Sequence, residues 1–491
     1  VVSLTPSYPN LSSFRGFFLF EAFQLDVATA GFGKSPLARY GNSVNSLLEQ
    51  IIIASVALLL PQDILNAASL LVVEKAEGPV TATEIQSFKN FMNEMTVPTN
   101  NIHNAMVYGG AGSAVESLGA MFEISGDHDF LNRMLVFTDA MLAARNDPKT
   151  GIVIWTGQRE LIWPNAVIEK GKASGFSTEN GDIVGHIAYA AELVLQNPKL
   201  WNAKIPDGDP NGFGLTYHDR AIRYVREMDR TINSFILKWL VRKDTLRYYT
   251  PNSPLFESVN RIPGTGGNQP VPWNQQTMLN NGFQRLAECH QLLGDDKDRV
   301  KLYDAIVKAS VDWFFSTVES ITVQGHVCYQ WAYPPEQPIK HVEDMGHGSY
   351  DIKGLYRAYR SGRYGITATM MEPFANTLLY VVRQPNGKFV GRMDGSSAPN
   401  AHPPGGLKAP CLDLCEFAPE LFPIFYDMNI PSKRFRTSPE ITSSILCNRE
   451  RRARLSHNEP SPQPTCRPTP APIHIPPLST ELHWLSTVRR I

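Results

Sequence analysis

Apolar residues through the middle of the chain recur at helical spacing. Met278, Leu286, Cys289 and Leu293 fall on one face, and Tyr303, Val307, Val311 and Phe314 do the same in the next segment. Ile222, Val225, Met228, Ile232, Phe235 and Trp239 form a longer stripe. Separations of three, four, seven and eight bring side chains to one side of an α-helix. Strict alternation over strand lengths is scarce before residue 320. The pieces near "ITVQGHVCYQWAY" and "GKFVGRMDG" read as short strands or extended loops.

The stripes come in pairs. "FEISGDHDFLNRMLVFTDAML" (122–142) and "HQLLGDDKDRVKLYDAIVKAS" (290–310) both read helix, Gly-Asp turn, acidic N-cap, helix. "AAELVLQNPKLWN" (190–202) puts Asn-Pro at that turn, and "LYRAYRSGRYGIT" (355–367) puts Ser-Gly there. A turn between two amphipathic runs, repeated, is the mark of αα-hairpins. The period is roughly 70 to 95 residues, longer than that of the short helical repeats. The surplus lies in loops rich in Gly, Pro and aromatics, and loops of such length in a compact fold usually carry function.

Polar clusters precede the first helix of each pair. They are "NNIHNAMVYGG" (100–110), "STENGDIVGH" (177–186), "VPWNQQ" (271–276) and "VEDMGHGSY" (342–350). If the pairs close into a ring with first helices inside, these clusters converge on one cleft.

Composition narrows the partners. A formal charge of -1 over 491 residues offers no general field for nucleic acid or an anionic membrane. The most apolar run, "IIIASVALLL" (51–60), has about half the length of a membrane span and reads as a buried helix. No secretory leader opens the chain, although Asn10 begins an Asn-x-Ser sequon and secretion is the expected destination. The six cysteines are too few and too irregular for a disulfide framework. The predicted organisation is an N-terminal extension over 1–40, a helical domain over 41–430, and a disordered Pro/Arg-rich tail over 431–491, the last from text such as "RERRARLSHNEPSPQPTCRPTPAP".

The stretches "VPWNQQTMLNNGFQRLAECHQLLGDDKDR" and "EDMGHGSYDI" resemble inner-helix starts of the (α/α) toroid superfamily, the six-hairpin glycosidases and alginate-lyase-like polysaccharide lyases. The likeness spans roughly residues 100 to 425, with four hairpins visible. It implies an all-α toroid of helical hairpins, complete or incomplete, acting on a polysaccharide or oligosaccharide without a cofactor.

Elimination at a uronic acid needs a base for the proton beside the carboxylate, a partner for that carboxylate, and an acid for the leaving oxygen. His347, Tyr350 and Asn274 are the candidates for these roles, with Asp344 and Glu343 beside them. His103, Tyr108, Asp182, Arg261 and Trp273 are candidates for holding the sugar, Trp273 by stacking next to Asn274. Hydrolysis is the alternative and needs two facing carboxyls, with Asp344 or Glu343 opposite Glu179 or Asp182. Acids at helix starts are also ordinary caps. His341, Glu343, Asp344 and His347 offer mixed metal ligands, but at no strong zinc spacing, and no metal is assigned. A non-catalytic helical binding or scaffold protein accounts for the hairpins but not for reactive groups at successive helix starts.

Overall fold

The computed structural model describes residues 70–107, 110–164, 178–253, 256, 267–335, 342–397, 408–430 and 438–456. Its helices are α1 Ala82–Glu94, α2 Ala111–Ser125, α3 His128–Ala143, α4 Asn180–Leu195, α5 Tyr217–Thr231, α6 Trp273–Leu293 and α7 Lys297–Thr317. They continue with α8 Met345–Ser361, α9 Ala368–Asn376, a 3-10 helix Ala409–Glu416, α10 Leu421–Asn429 and α11 Pro439–Ser456. A single antiparallel hairpin, β1 Glu319–Val323 with β2 His326–Gln330, stands between α7 and α8 among the described residues. Positive φ at both Gln324 and Gly325 makes its two-residue turn, the backbone twist that short hairpins favour.

The hairpin turns anticipated from the sequence are present, each with its local cause. Gly126 ends α2 at φ 67°, and the Asp127 side chain accepts from the Asp129 N–H to start α3. Gly294 ends α6 at φ 69°, and Asp296 caps α7 through the Arg299 N–H. Gly362 ends α8 at φ 66°. Each is a left-handed position that glycine adopts without a Cβ penalty.

Contacts between helices close a ring. In order, α2 packs on α4, α4 on α6, α6 on α8, α8 on the 3-10 helix, that helix on α11, and α11 back on α2. The outer partners α3, α5, α7, α9 and α10 each pack on the inner element before them. Among the described residues this makes six inner elements, the (α/α) toroid expected. Burial is most complete on α4. Every residue of α4 is buried, whereas its outer partner α5 presents an exposed face at Arg226 and Arg230. Close approach is bought with glycine: a Cβ on Gly354 of α8 would lie 2.4 Å from the Thr277 Cβ of α6.

The tail expectation is corrected at α11. Ile445 and Leu446 are fully buried, and Arg449 forms a buried ion pair with Glu84 of α1, so the last described helix pairs with the first to close the ring. Residues 457–491, the proposed extension 1–40 and the run 51–60 lie outside the described residues. Among the described residues, no helix is long and apolar enough to cross a membrane.

Candidate active site at the inner-helix starts

The segment leading into α8 is clamped on both sides. The Glu343 N–H donates to the Trp331 carbonyl at 2.9 Å, and the Met393 N–H donates to the Glu343 carbonyl at 3.0 Å. The Met345 N–H donates to the Gly391 carbonyl at 3.0 Å. Asp344 then serves as N-cap: its Oδ1 accepts from the Gly346 and His347 N–H groups at 2.7 and 2.9 Å. Its Oδ2 lies 2.6 Å from His347 Nδ1. One carboxylate thus both starts the helix and orients an imidazole.

That contact shifts both groups in the directions of an ion pair. Hydrogen bonding to Asp344 raises the His347 pKa above its ordinary value, against the opposing effect of burial. Asp344 is lowered: burial opposes its ionisation, but its bonds to His347 and to the cap N–H groups outweigh that. His347 keeps 39% of its side-chain surface exposed, and its other ring nitrogen has no protein partner among the described residues. The Tyr333 ring lies 5.0 Å from the imidazole.

Behind this dyad sits a buried acid pair. Glu343 and Asp351 are each fully buried, and Trp331 Nε1 donates to Asp351 Oδ2 at 2.9 Å. Burial raises both acids, and each feels the other's carboxyl, so the pair retains a proton where exposed carboxyls are ionised. Burial, then the charges of Glu343, Asp351, Asp344 and Glu179, hold the Tyr333 hydroxyl well above the usual phenol range. Tyr333 is therefore a neutral O–H donor within electrostatic reach of acids from two inner-helix starts.

A second polar system fills the ring below. His186 of α4 lies 3.0 Å from Glu116 of α2 through Nδ1, and 3.2 Å from Asp182 through Nε2. Asn281 of α6 donates to the other Asp182 oxygen at 2.8 Å. Burial opposes the imidazolium, but Asp182 and Glu116 more than compensate and push His186 up to about 9. A cavity of about 20 Å³ adjoins these groups and Tyr350.

The ten residues singled out from the sequence divide accordingly. Glu343, Asp344 and His347 come together, with candidate ligand atoms all within 4.8 Å of one another. Hydrogen bonds occupy both Asp344 oxygens and His347 Nδ1, whereas Glu343 Oε2 has no hydrogen-bond partner among the described residues. Glu343 is fully buried, because the clamp on its backbone draws it inward. Tyr350 faces the ring interior with Asp182. Asp182 lines the same cavity and bonds to His186 and Asn281. Asn274 is buried at the start of α6, where its Oδ1 has no hydrogen-bond partner among the described residues.

Trp273 is also corrected. It is 2% exposed and packs edge-on to Trp313 and Phe314, with ring centres 5.4 and 5.0 Å away, so it belongs to the core and offers no face for stacking. Tyr108 and Arg261 lie outside the described residues, and of His103 only the backbone, in the turn Ile102–Asn104, is described. Tyr333, Asp351 and His186 were missed. His186 was open to inference, standing four residues after Asp182 on one helix.

No protein-family model and no curated protein matches the chain. Solved structures similar to it include a family 76 glycoside hydrolase from a bovine Bacteroides thetaiotaomicron strain. That match has 11% identity and a TM-score of 0.37, covering 70% of this chain and 55% of the other. The chain thus spans about half of that protein. A polysaccharide lyase matches at 11% identity and TM-score 0.36, over 77% of this chain and 86% of its own. A possible member of the GH105 family from Salmonella enterica serovar Paratyphi A matches at 10% identity and TM-score 0.35, over 77% and 95%. The ring described above stands on this chain's own helix contacts.

Proposed function

We propose that the chain is a carbohydrate-active enzyme that cleaves a uronic-acid-containing glycan by β-elimination. The observation that carries the reading is His347, half-exposed at the start of an inner helix with Nδ1 held by Asp344. A neutral imidazole held this way presents its Nε2 lone pair outward, the arrangement of an oriented general base. Nε2 would take the proton from the carbon beside the sugar carboxylate. The released electron pair forms the carbon–carbon double bond as the glycosidic carbon–oxygen bond breaks. The departing oxygen would take its proton from a tyrosine O–H, and Tyr333 and Tyr350 stand nearest in the fold and on the helix respectively.

The Glu343–Asp351 pair does not suit hydrolysis. Both carboxyls are fully buried, which leaves no access for a sugar and a water between them. A second reading as a glycoside hydrolase rests on a different pair: Glu179 from the start of α4 and Asp344 from the start of α8 both act on Tyr333. A panel of uronate-containing and neutral glycans separates the two, assayed for ultraviolet absorbance of unsaturated product and for reducing ends. Unsaturated product supports elimination. Reducing ends without it assign hydrolysis, and neither product from any glycan favours a binding protein.

A further inference from the structure

Below His347, α8 turns a second row of side chains into the ring. Tyr350, Lys353, Gly354 and Arg357 recur at helical spacing along the 20 Å³ cavity, which has room for about one ordered water. Lys353 Nζ stands 3.8 Å from Glu116 and 4.0 Å from Glu440, and Arg357 Nη2 stands 3.7 Å from Glu116. All three distances exceed a hydrogen bond. Neither side chain donates a hydrogen bond to another group among the described residues.

The other buried arginines of the ring are committed. Arg220, Arg285, Arg363 and Arg449 each donate to a carboxylate within hydrogen-bond distance. Arg357, with five donors and 16% of its side chain exposed, does not. Its nearest carboxylate is already taken: Glu116 Oε1 is bonded to His186 and also faces Arg285 at 4.0 Å. Burial lowers the Arg357 pKa despite Glu116, the direction of a cation whose compensation is incomplete. At the cavity edge, Glu440 accepts from Ser113 at 3.2 Å, which leaves the two cations with donors to spare.

We propose that Lys353 and Arg357 form an anion-binding subsite that receives the carboxylate or sulfate of an acidic sugar. An oxyanion approaching from the solvent side, where Lys353 and Arg357 keep 24% and 16% of their side chains exposed, would accept hydrogen bonds from both cations, Arg357 offering a two-pronged contact. The identity of the ligand as a sugar rests on the reading of the site as glycan-processing; the anion preference rests on the two cations. At 1.5 Å per residue, Lys353 lies about 9 Å and Arg357 about 15 Å along the helix from His347. The anion therefore belongs to a sugar neighbouring the one that reacts.

The test is calorimetric titration of the full chain with glucuronate, a sulfated glucose and neutral glucose, for the native sequence, Lys353→Gln and Arg357→Gln. Lys353 keeps 24% of its side chain exposed and donates no hydrogen bond among the described residues, so its replacement keeps the test valid if the Arg357 variant fails to fold. Saturable binding of an anionic sugar, weakened at least tenfold by Lys353→Gln and by added salt, is the expected result. The anion that binds more tightly names the substituent. Absence of saturable binding for both anions, equal affinity for glucose, or full affinity in Lys353→Gln would overturn the subsite. Anion binding in a chain that yields neither unsaturated product nor reducing ends would uphold the subsite and refute the proposed reaction.

Discussion

Replacing Arg449 by methionine tests how the ring closes. Its guanidinium donates to both oxygens of Glu84, 365 positions earlier, and to the carbonyls of Lys75 and Pro79, at 2.5 and 3.3 Å. Both partners are buried, with Glu84 fully enclosed. Removing one member of a buried ion pair costs about 3 to 5 kcal/mol, because a charge is left without compensation. Glu84 would keep two backbone donors, Glu74 N–H at 2.7 Å and Thr81 N–H at 2.8 Å, which places the loss near the lower end, about 3 kcal/mol. Urea unfolding gives the value from the midpoint at unchanged slope. Glu84→Gln in the Arg449→Met background should recover part of it, since the amide carries no charge to strand. A loss below about 1 kcal/mol, or no recovery in the double variant, would refute closure of the ring by this pair.

Two further outcomes follow from the same contacts. Ending the chain at residue 438 should abolish cooperative thermal unfolding by circular dichroism, because it removes Ile445, Leu446 and Arg449 from the core. The His186 triad should make stability depend on pH on both sides. Its folded pKa near 9 exceeds the ordinary 6.5, so its contribution is complete below 6.5 and fades as pH rises toward 9. Glu116 and Asp182 are lowered, so their contribution is present above the usual carboxylate range and fades in acid. Melting temperatures across pH should flatten on the alkaline side in His186→Gln.

Local pattern made the hairpins legible: the Gly-Asp turns and acidic caps at 126–127 and 294–296 act over a few residues, and the sequence displays them directly. Partners distant in sequence were hidden. The segment around Arg449 reads as a solvated basic tail until Glu84 is brought against it. Trp273 beside Asn274 reads as a sugar platform until Trp313 and Phe314 cover it. At the site, the crowding of Glu343, Asp344 and His347 was visible, but its division of labour was not. The backbone bonds to Trp331 and Met393 send Glu343 inward, while the N-cap geometry leaves His347 half-exposed.

The most direct test of the proposed chemistry is the rate of unsaturated-product formation by His347→Gln, alongside the native chain, on whichever glycan the panel identifies. Glutamine keeps hydrogen bonding but cannot take up a proton near neutral pH. A fall of roughly a hundredfold or more is expected, with the melting temperature unchanged, in line with general-base contributions. The native rate should also rise with pH through a pKa above 6.5, since the neutral imidazole is the base and Asp344 holds its proton longer. A glutamine variant that turns over at the native rate, with the same pH profile, would contradict His347 as the base.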